Sequence, residues 1–97
     1  MLFSDKIHEL REEKKLYQKQ IASALSIDTP MYCRIERGER RAKREQIPII
    51  AEVLQFDPEE LLALWLADQV TAVVADETGI ARKVLKIADN SLGKKNK

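Results

Sequence analysis

From Gln18 to Arg44 the chain reads QKQIASALSIDTPMYCRIERGERRAKR, and this stretch leaves few architectures open. Ile21, Ala22 and Leu25 recur at one-, three- and four-residue spacings, which predicts a short helix with one apolar face. Ala22 is the small member of that face and lets a following helix come close. Ser26 and Ile27 leave room only for a tight turn, in which Ser26 must supply the left-handed residue that glycine usually provides, or the turn must avoid one. Asp28 then caps a second helix, with Pro30 in its first turn, where a missing N–H costs nothing. Tyr32 and Ile35 point inward and Gly38 ends the helix. Five of the next six residues are charged. Two short helices joined so briefly form a helix-turn-helix, whose second member has the size of a helix that lies in a DNA major groove.

The rest of the chain limits what surrounds this unit. Ninety-seven residues suit one small core, or a compact domain with an oligomerising extension. A composition of 44% hydrophobic and 34% charged residues, with three glycines and three prolines, is globular rather than fibrous or disordered. One cysteine excludes an internal disulfide framework and fits a reducing compartment. No stretch approaches the roughly 18 apolar residues of a membrane span. The opening segment carries Asp5 and a charged run where a signal peptide needs an apolar centre. A cytoplasmic protein without membrane contact is expected.

Net charge is only +1, but its distribution is uneven. Residues 1–44 hold eleven Lys/Arg against seven Asp/Glu, residues 45–77 hold none against eight, and residues 78–97 hold six against one. Such a chain can turn an electropositive face to phosphates while remaining nearly neutral overall. The competing explanation is that these charges only solvate the outsides of helices.

Taken in order, Ser4 or Asp5 is expected to cap a first helix carrying Ile7, Leu10 and Lys14 on one side and running to about Lys15. After the helix-turn-helix, a fourth helix starts near Arg44 or Glu45 with Pro48 in its first turn, and presents Ile47, Ile50, Ala51 and Leu54. DPEE opens a fifth: Asp57 as cap, Pro58 first, Glu59 and Glu60 against the positive end of the dipole. Its continuation, LLALWLADQVTAVVA, is apolar around most of its circumference. Leu61, Leu62, Trp65, Gln69 and Ala72 form one stripe, and Leu64, Leu66, Val70, Val73 and Val74 lie partly outside it. One small core cannot bury both sides, so a further helix with Ile80, Val84, Leu85, Ala88 and Leu92 either folds back over the surplus or joins a partner subunit. A strand over VTAVV would have nothing to pair with. The expected organisation is all-α: a DNA-binding domain over 4–70, a C-terminal helical extension over 71–92 that is a candidate for dimerisation or for binding a different protein, and a disordered tail over 93–97.

The outward residues of the pair suit duplex DNA. Arg34 and Thr29 are placed to reach base edges, arginine to guanine being the commonest specific pairing. Gln18 and free backbone N–H groups at a helix start suit phosphates. Arg37, Arg40, Arg41, Lys43 and Arg44 suit the flanking backbone and would set salt dependence. No nucleophile–base pair, metal-ligand spacing or glycine-rich phosphate loop is present, so no enzymatic activity, metal or cofactor is expected. His8 stands alone. Cys33 reads as a small groove-facing side chain before it reads as a redox-sensitive thiol. Trp65 reads as core or interface, and Tyr17 as either packing at the helix junction or a phosphate contact.

The segment Leu10–Leu54, LREEKKLYQKQIASALSIDTPMYCRIERGERRAKREQIPIIAEVL, resembles the helix-turn-helix domain of the Cro/CI family, also called the xenobiotic response element family. That family's pattern runs roughly LRxxKxLTQxxLAxxLGVSxSxISRIERGxRxP, then an LxxIAxxL helix. The resemblance implies a five-helix domain, with an additional C-terminal helix here, and a sequence-specific transcriptional regulator. It gives Gln18 a phosphate-clamping role and places Thr29, Pro30, Cys33 and Arg34 on the exposed face of the recognition helix, with Arg37 at its end. It also implies an internal Arg11–Glu36 salt bridge. Ser26 stands where a glycine is usual, Tyr17 where a threonine is usual, and Thr29 where a glutamine often reads adenine, so no relative's operator transfers. A homodimeric repressor on a two-fold operator is the expected setting. An antitoxin that binds a protein partner through its C-terminal region, and the controller of a restriction-modification operon, are the alternatives.

Overall fold

The structure, a computed structural model, describes residues 1–95, and every element among them is helical. The order is α1 (Leu2–Glu13), α2 (Gln18–Ala24), α3 (Thr29–Glu36), a 3-10 turn (Arg44–Gln46) leading into α4 (Ile47–Leu54), α5 (Pro58–Val74) and α6 (Ala81–Lys95). VTAVV is part of α5 and not a strand. The expected boundary at residue 70 falls inside α5, which runs unbroken to Val74. Of the tail expected over 93–97, residues through Lys95 belong to α6, and the remaining two lie outside the described residues.

Local chemistry accounts for most of these limits. Asp28 accepts the Met31 N–H at 2.8 Å and Asp57 accepts the Glu59 N–H at 3.0 Å, so both are N-caps, each followed by a proline in the first turn. At the other ends, α1 to α4 all close in the same way. The N–H just past a left-handed residue returns to the carbonyl five residues earlier: Leu16 to Arg11, Ile27 to Ala22, Glu39 to Arg34 and Phe56 to Ala51. Each closure needs one left-handed residue. These are Lys15 (φ 55°), Ser26 (φ 57°), Gly38 (φ 77°) and Gln55 (φ 53°), so only one of the four is a glycine.

The start of α1 differs from the sequence expectation. Neither Ser4 nor Asp5 caps it; both lie inside a helix that begins at Leu2. Its first N–H groups are satisfied from a distance, since Leu2 N–H and Phe3 N–H donate to the two carboxylate oxygens of Asp68, each at 2.9 Å. The far helix supplies the cap that the local sequence lacks.

One cluster forms the core: Phe3, Ile7 and Leu10 of α1, Ile21, Ala22 and Leu25 of α2, Tyr32 and Ile35 of α3, Ile47, Ile50, Ala51 and Leu54 of α4, and Leu61 of α5, with Ala42 from the loop. Lys14, expected beside Leu10, is exposed at the α1 C-cap. On α5 the inward stripe runs through Leu61, Leu64, Trp65 and Asp68; Gln69 and Ala72, expected to face inward, are exposed. The phase of α5 is turned toward Asp68 because the open N-terminus of α1 lies there. α6 takes no substantial part in this packing. The radius of gyration is 15.6 Å, against about 12.5 Å for a compact domain of this length, because α6 projects from the body.

A candidate nucleic-acid interface

The outward face of α3 carries Thr29, Pro30, Cys33, Arg34 and Arg37. Pro30, Arg34 and Arg37 are exposed, and Thr29 and Cys33 are half-buried. The opposite face is fixed, with Tyr32 and Ile35 in the core and Glu36 buried. A helix anchored by alternate turns in this way offers its free side chains as a rigid row, as groove reading requires.

Glu36 is the hub of that anchorage. Arg11 Nε donates to both of its oxygens, at 3.0 and 2.9 Å, and Nη2 donates to Oε1 at 2.8 Å, while Nη1 donates to the Leu16 carbonyl at 2.9 Å. His8 Nδ1 lies 2.7 Å from Glu36 Oε1, with Nε2 3.2 Å from Glu12. Burial alone would raise the carboxyl of Glu36, but the hydrogen bonds from Arg11 and His8 outweigh it and hold the group down to about 2. The bond to Glu36 correspondingly raises Arg11. The Tyr32 hydroxyl sits in the same surroundings, buried and without a hydrogen-bond partner. Burial, then the neighbouring carboxylate, push its ionisation upward, so it remains a neutral phenol.

Gln18 joins this network from the first residue of α2. Its Nε2 donates to Glu36 Oε1 at 3.4 Å, a long bond from a half-buried side chain. The α2 start itself is closed by Gln20, whose Oε1 accepts the Tyr17 N–H at 2.7 Å. Tyr17 is exposed, so packing at the helix junction does not hold it.

The basic loop after α3 is held from both sides. At its start, the position of Gly38 has little room: a Cβ there would lie 3.2 Å from Ser4 Oγ, at a φ that side chains rarely adopt. At its centre, the Trp65 indole N–H donates to the Ala42 carbonyl at 2.9 Å. Arg41 stacks its guanidinium 3.9 Å from the centroid of the same ring, and its Nη2 donates to the Trp65 carbonyl and to Gln69 Oε1, both at 3.1 Å. The loop ends where Gln46 Oε1 accepts the Lys43 N–H at 2.8 Å. Arg37 pairs with Glu39 at 3.2 Å on the surface. Arg40, Lys43 and Arg44 are exposed and have no carboxylate partner among the described residues.

The structure therefore brings Gln18 to Glu36 of α3, and it sets Arg41 apart from the other loop cations by engaging its guanidinium on α5. Sequence reasoning missed three contributors. His8 was set aside as a lone histidine, and nothing in its neighbourhood points to Glu36. Trp65, expected in the core or at an interface, is half-buried and supports the loop, a role its sequence position does not show. Asp68 carried a signal that was passed over: it follows Leu61, Leu64 and Trp65 at helical spacing, and a carboxylate in phase with an apolar stripe needs buried donors.

A short helix pair with an anchored inner face, a free outer row and a fixed basic loop defines a DNA-reading module. The model of a helix-turn-helix domain family matches residues 2–64. The chain belongs to that family, of the Cro/CI or xenobiotic response element type, and its function lies in sequence-specific DNA binding and transcriptional regulation rather than catalysis. Neither a curated protein nor a solved structure matches the chain. No helix among the described residues is long and apolar enough to cross a membrane.

Proposed function

We propose that the protein is a repressor that binds a two-fold operator as a homodimer and acts by occupying a promoter. The observation that carries this reading is the exposed Arg34 in the last turn of a helix whose other face is locked by Tyr32, Ile35 and Glu36. Arg34 reads a base edge, with Thr29, Pro30 and Cys33 shaping the contact around it. Gln18 turns its amide from Glu36 to a phosphate, a small change because the bond it gives up is already long. Arg37, Arg40 and Lys43 hold the flanking backbone. Arg41 acts on the DNA through the loop that it ties to α5.

Selection of bound duplexes from a random pool tests the whole reading. The expected product is an inverted repeat whose half-sites lie about one helical turn, roughly 34 Å, apart. A single unrepeated half-site would remove the two-fold operator. With that operator in hand, Arg34→Ala is expected to lose about 1–3 kcal/mol of binding and to relax one base position. Lys43→Ala should weaken specific and random duplexes alike and make the salt dependence shallower. Equal losses for both variants on both kinds of duplex would refute the division of labour.

A further inference from the structure

Apart from Leu92, the large exposed apolar side chains of α5 and α6 are not scattered. On α5 they are Leu66, Val70 and Val73, and around α6 they are Ile80, Val84 and Ile87; Val73 is 77% exposed and Ile87 60%. Within each group the spacing is four and then three residues, so each group makes an apolar strip along its own element, with the turn between Val74 and Ala81 separating the two. Together they make an open seam of the kind by which helices pack side by side. Ala63, Ala67 and Ala88 flank it with small side chains that allow close approach. Between the helices, Val74 is buried but stands apart from the main core, and Ala81 and Leu85 are half-buried, so the root of α6 is occupied while the seam stays open.

We propose that a second copy of the chain covers this seam in antiparallel fashion, with α6 of each copy lying along α5 of the other. The proposal rests on the homodimer reading above and adds to it the surface and the orientation. Charge decides the orientation. From Pro58 to Ile80 there is no lysine or arginine, and the acidic residues at the surface are Glu59, Glu60, Asp76 and Glu77, Asp68 being buried against α1. α6 carries Arg82, Lys83 and Lys86 against Asp89, and Lys94 and Lys95 follow. A parallel arrangement sets acidic α5 on acidic α5 and basic α6 on basic α6. The antiparallel one sets each basic helix beside an acidic one. Area decides that a second copy is enough. Covering the six seam residues removes on the order of 500 Å² of apolar surface from each copy, and with the flanking alanines and polar rim this nears the roughly 800 Å² per partner of a stable interface.

The test is cross-linking in a Cys33→Ser background, which removes the only native thiol. Leu66→Cys and Ile87→Cys are made separately in the full chain; both positions are exposed, so neither touches the core. Sedimentation and helix content are recorded first for each. The expected result is that each variant alone resists oxidation to a covalent dimer, whereas an equimolar mixture forms the mixed 66–87 disulfide. Self-linking of each variant overturns the antiparallel arrangement. A dimer in sedimentation that links in no combination places the interface elsewhere and overturns this proposal while leaving the homodimer intact. A monomer of the Cys33→Ser chain at tens of micromolar overturns both.

Discussion

Around the recognition helix, groups that leave water meet partners within the chain, whereas along the outer face of α5 and on α6 apolar groups stay in water. In the first region the Glu36 carboxylate has Arg11, His8 and Gln18, the Asp68 carboxylate has two backbone donors, and the Trp65 indole has a loop carbonyl. Among the described residues, only the Tyr32 hydroxyl is left without one. In the second, Leu66, Val70, Val73 and Ile87 are all exposed. A region that satisfies itself can hold a reading surface rigid without help. A region that does not is built to be completed from outside. The helix-turn-helix family match ends at residue 64, close to where the first region gives way to the second.

From this contrast the largest losses of stability are expected in the anchored region. Glu36→Ala strands the guanidinium of Arg11 beneath the surface, and about 3–5 kcal/mol should be lost, read as a lower urea midpoint at unchanged slope. Acid should reproduce part of this. The carboxyl of Glu36 sits at about 2 in the folded chain against 4.5 as its ordinary value. Its contribution is therefore complete above pH 4.5 and is lost as the pH falls toward 2. The shift corresponds to about 3 kcal/mol. A Glu36→Ala chain should show a correspondingly flatter loss of stability across that window, and an identical acid profile would mean that Glu36 is not the group responsible. Asp68→Ala comes next. It leaves the N–H groups of Leu2 and Phe3 unsatisfied, the second of them buried, and about 1–3 kcal/mol should go, with the amide protons of Leu2 and Phe3 the first to lose protection. Loss of protection starting elsewhere would show that α1 is held mainly by its apolar face.

How far these regions could be read in advance follows from the range of the forces involved. Helix limits set by neighbours in sequence, such as Asp28 with Pro30, Asp57 with Pro58, or the inward pairing of Tyr32 and Ile35, were legible because the cause lies within a turn of the effect. The outward row from Thr29 to Arg37 was legible for the same reason. Arg11–Glu36 came only through family resemblance, since twenty-five residues separate the partners. The start of α1 and the phase of α5 were misread together. Each depends on Asp68 meeting Leu2 and Phe3 across the fold, and neither segment shows it alone. Arg41 was grouped with its charged neighbours, because nothing local distinguishes a cation that finds a tryptophan ring from one that faces solvent.

The helix ends give a finer comparison inside the anchored region. Gly38→Ala should cost about 1–2 kcal/mol, because it combines a left-handed backbone with a Cβ pressed to within 3.2 Å of Ser4 Oγ. Ser26→Gly should do the reverse and gain about 0.5 kcal/mol. Relief of left-handed strain exceeds the added entropy of the unfolded chain by roughly that amount. Thermal unfolding of both variants checks the pair, and a loss at Ser26→Gly would mean that the serine hydroxyl contributes more than its backbone costs.

The smallest effect is the most diagnostic for the other region. Val73 is almost free of the fold, so Val73→Ser should leave the stability of the dilute chain within about 0.5 kcal/mol of the parent. The same substitution removes two methyl groups from the middle of the open seam. Unfolding midpoints measured across a hundredfold range of concentration should therefore rise with concentration for the parent and rise less for the variant, since association stabilises the folded state by mass action. Parallel curves for the two chains would show that the seam is not where copies meet. A large loss for Val73→Ser at high dilution would contradict the comparison itself, because it would mean that the outer face of α5 already has a partner within its own chain.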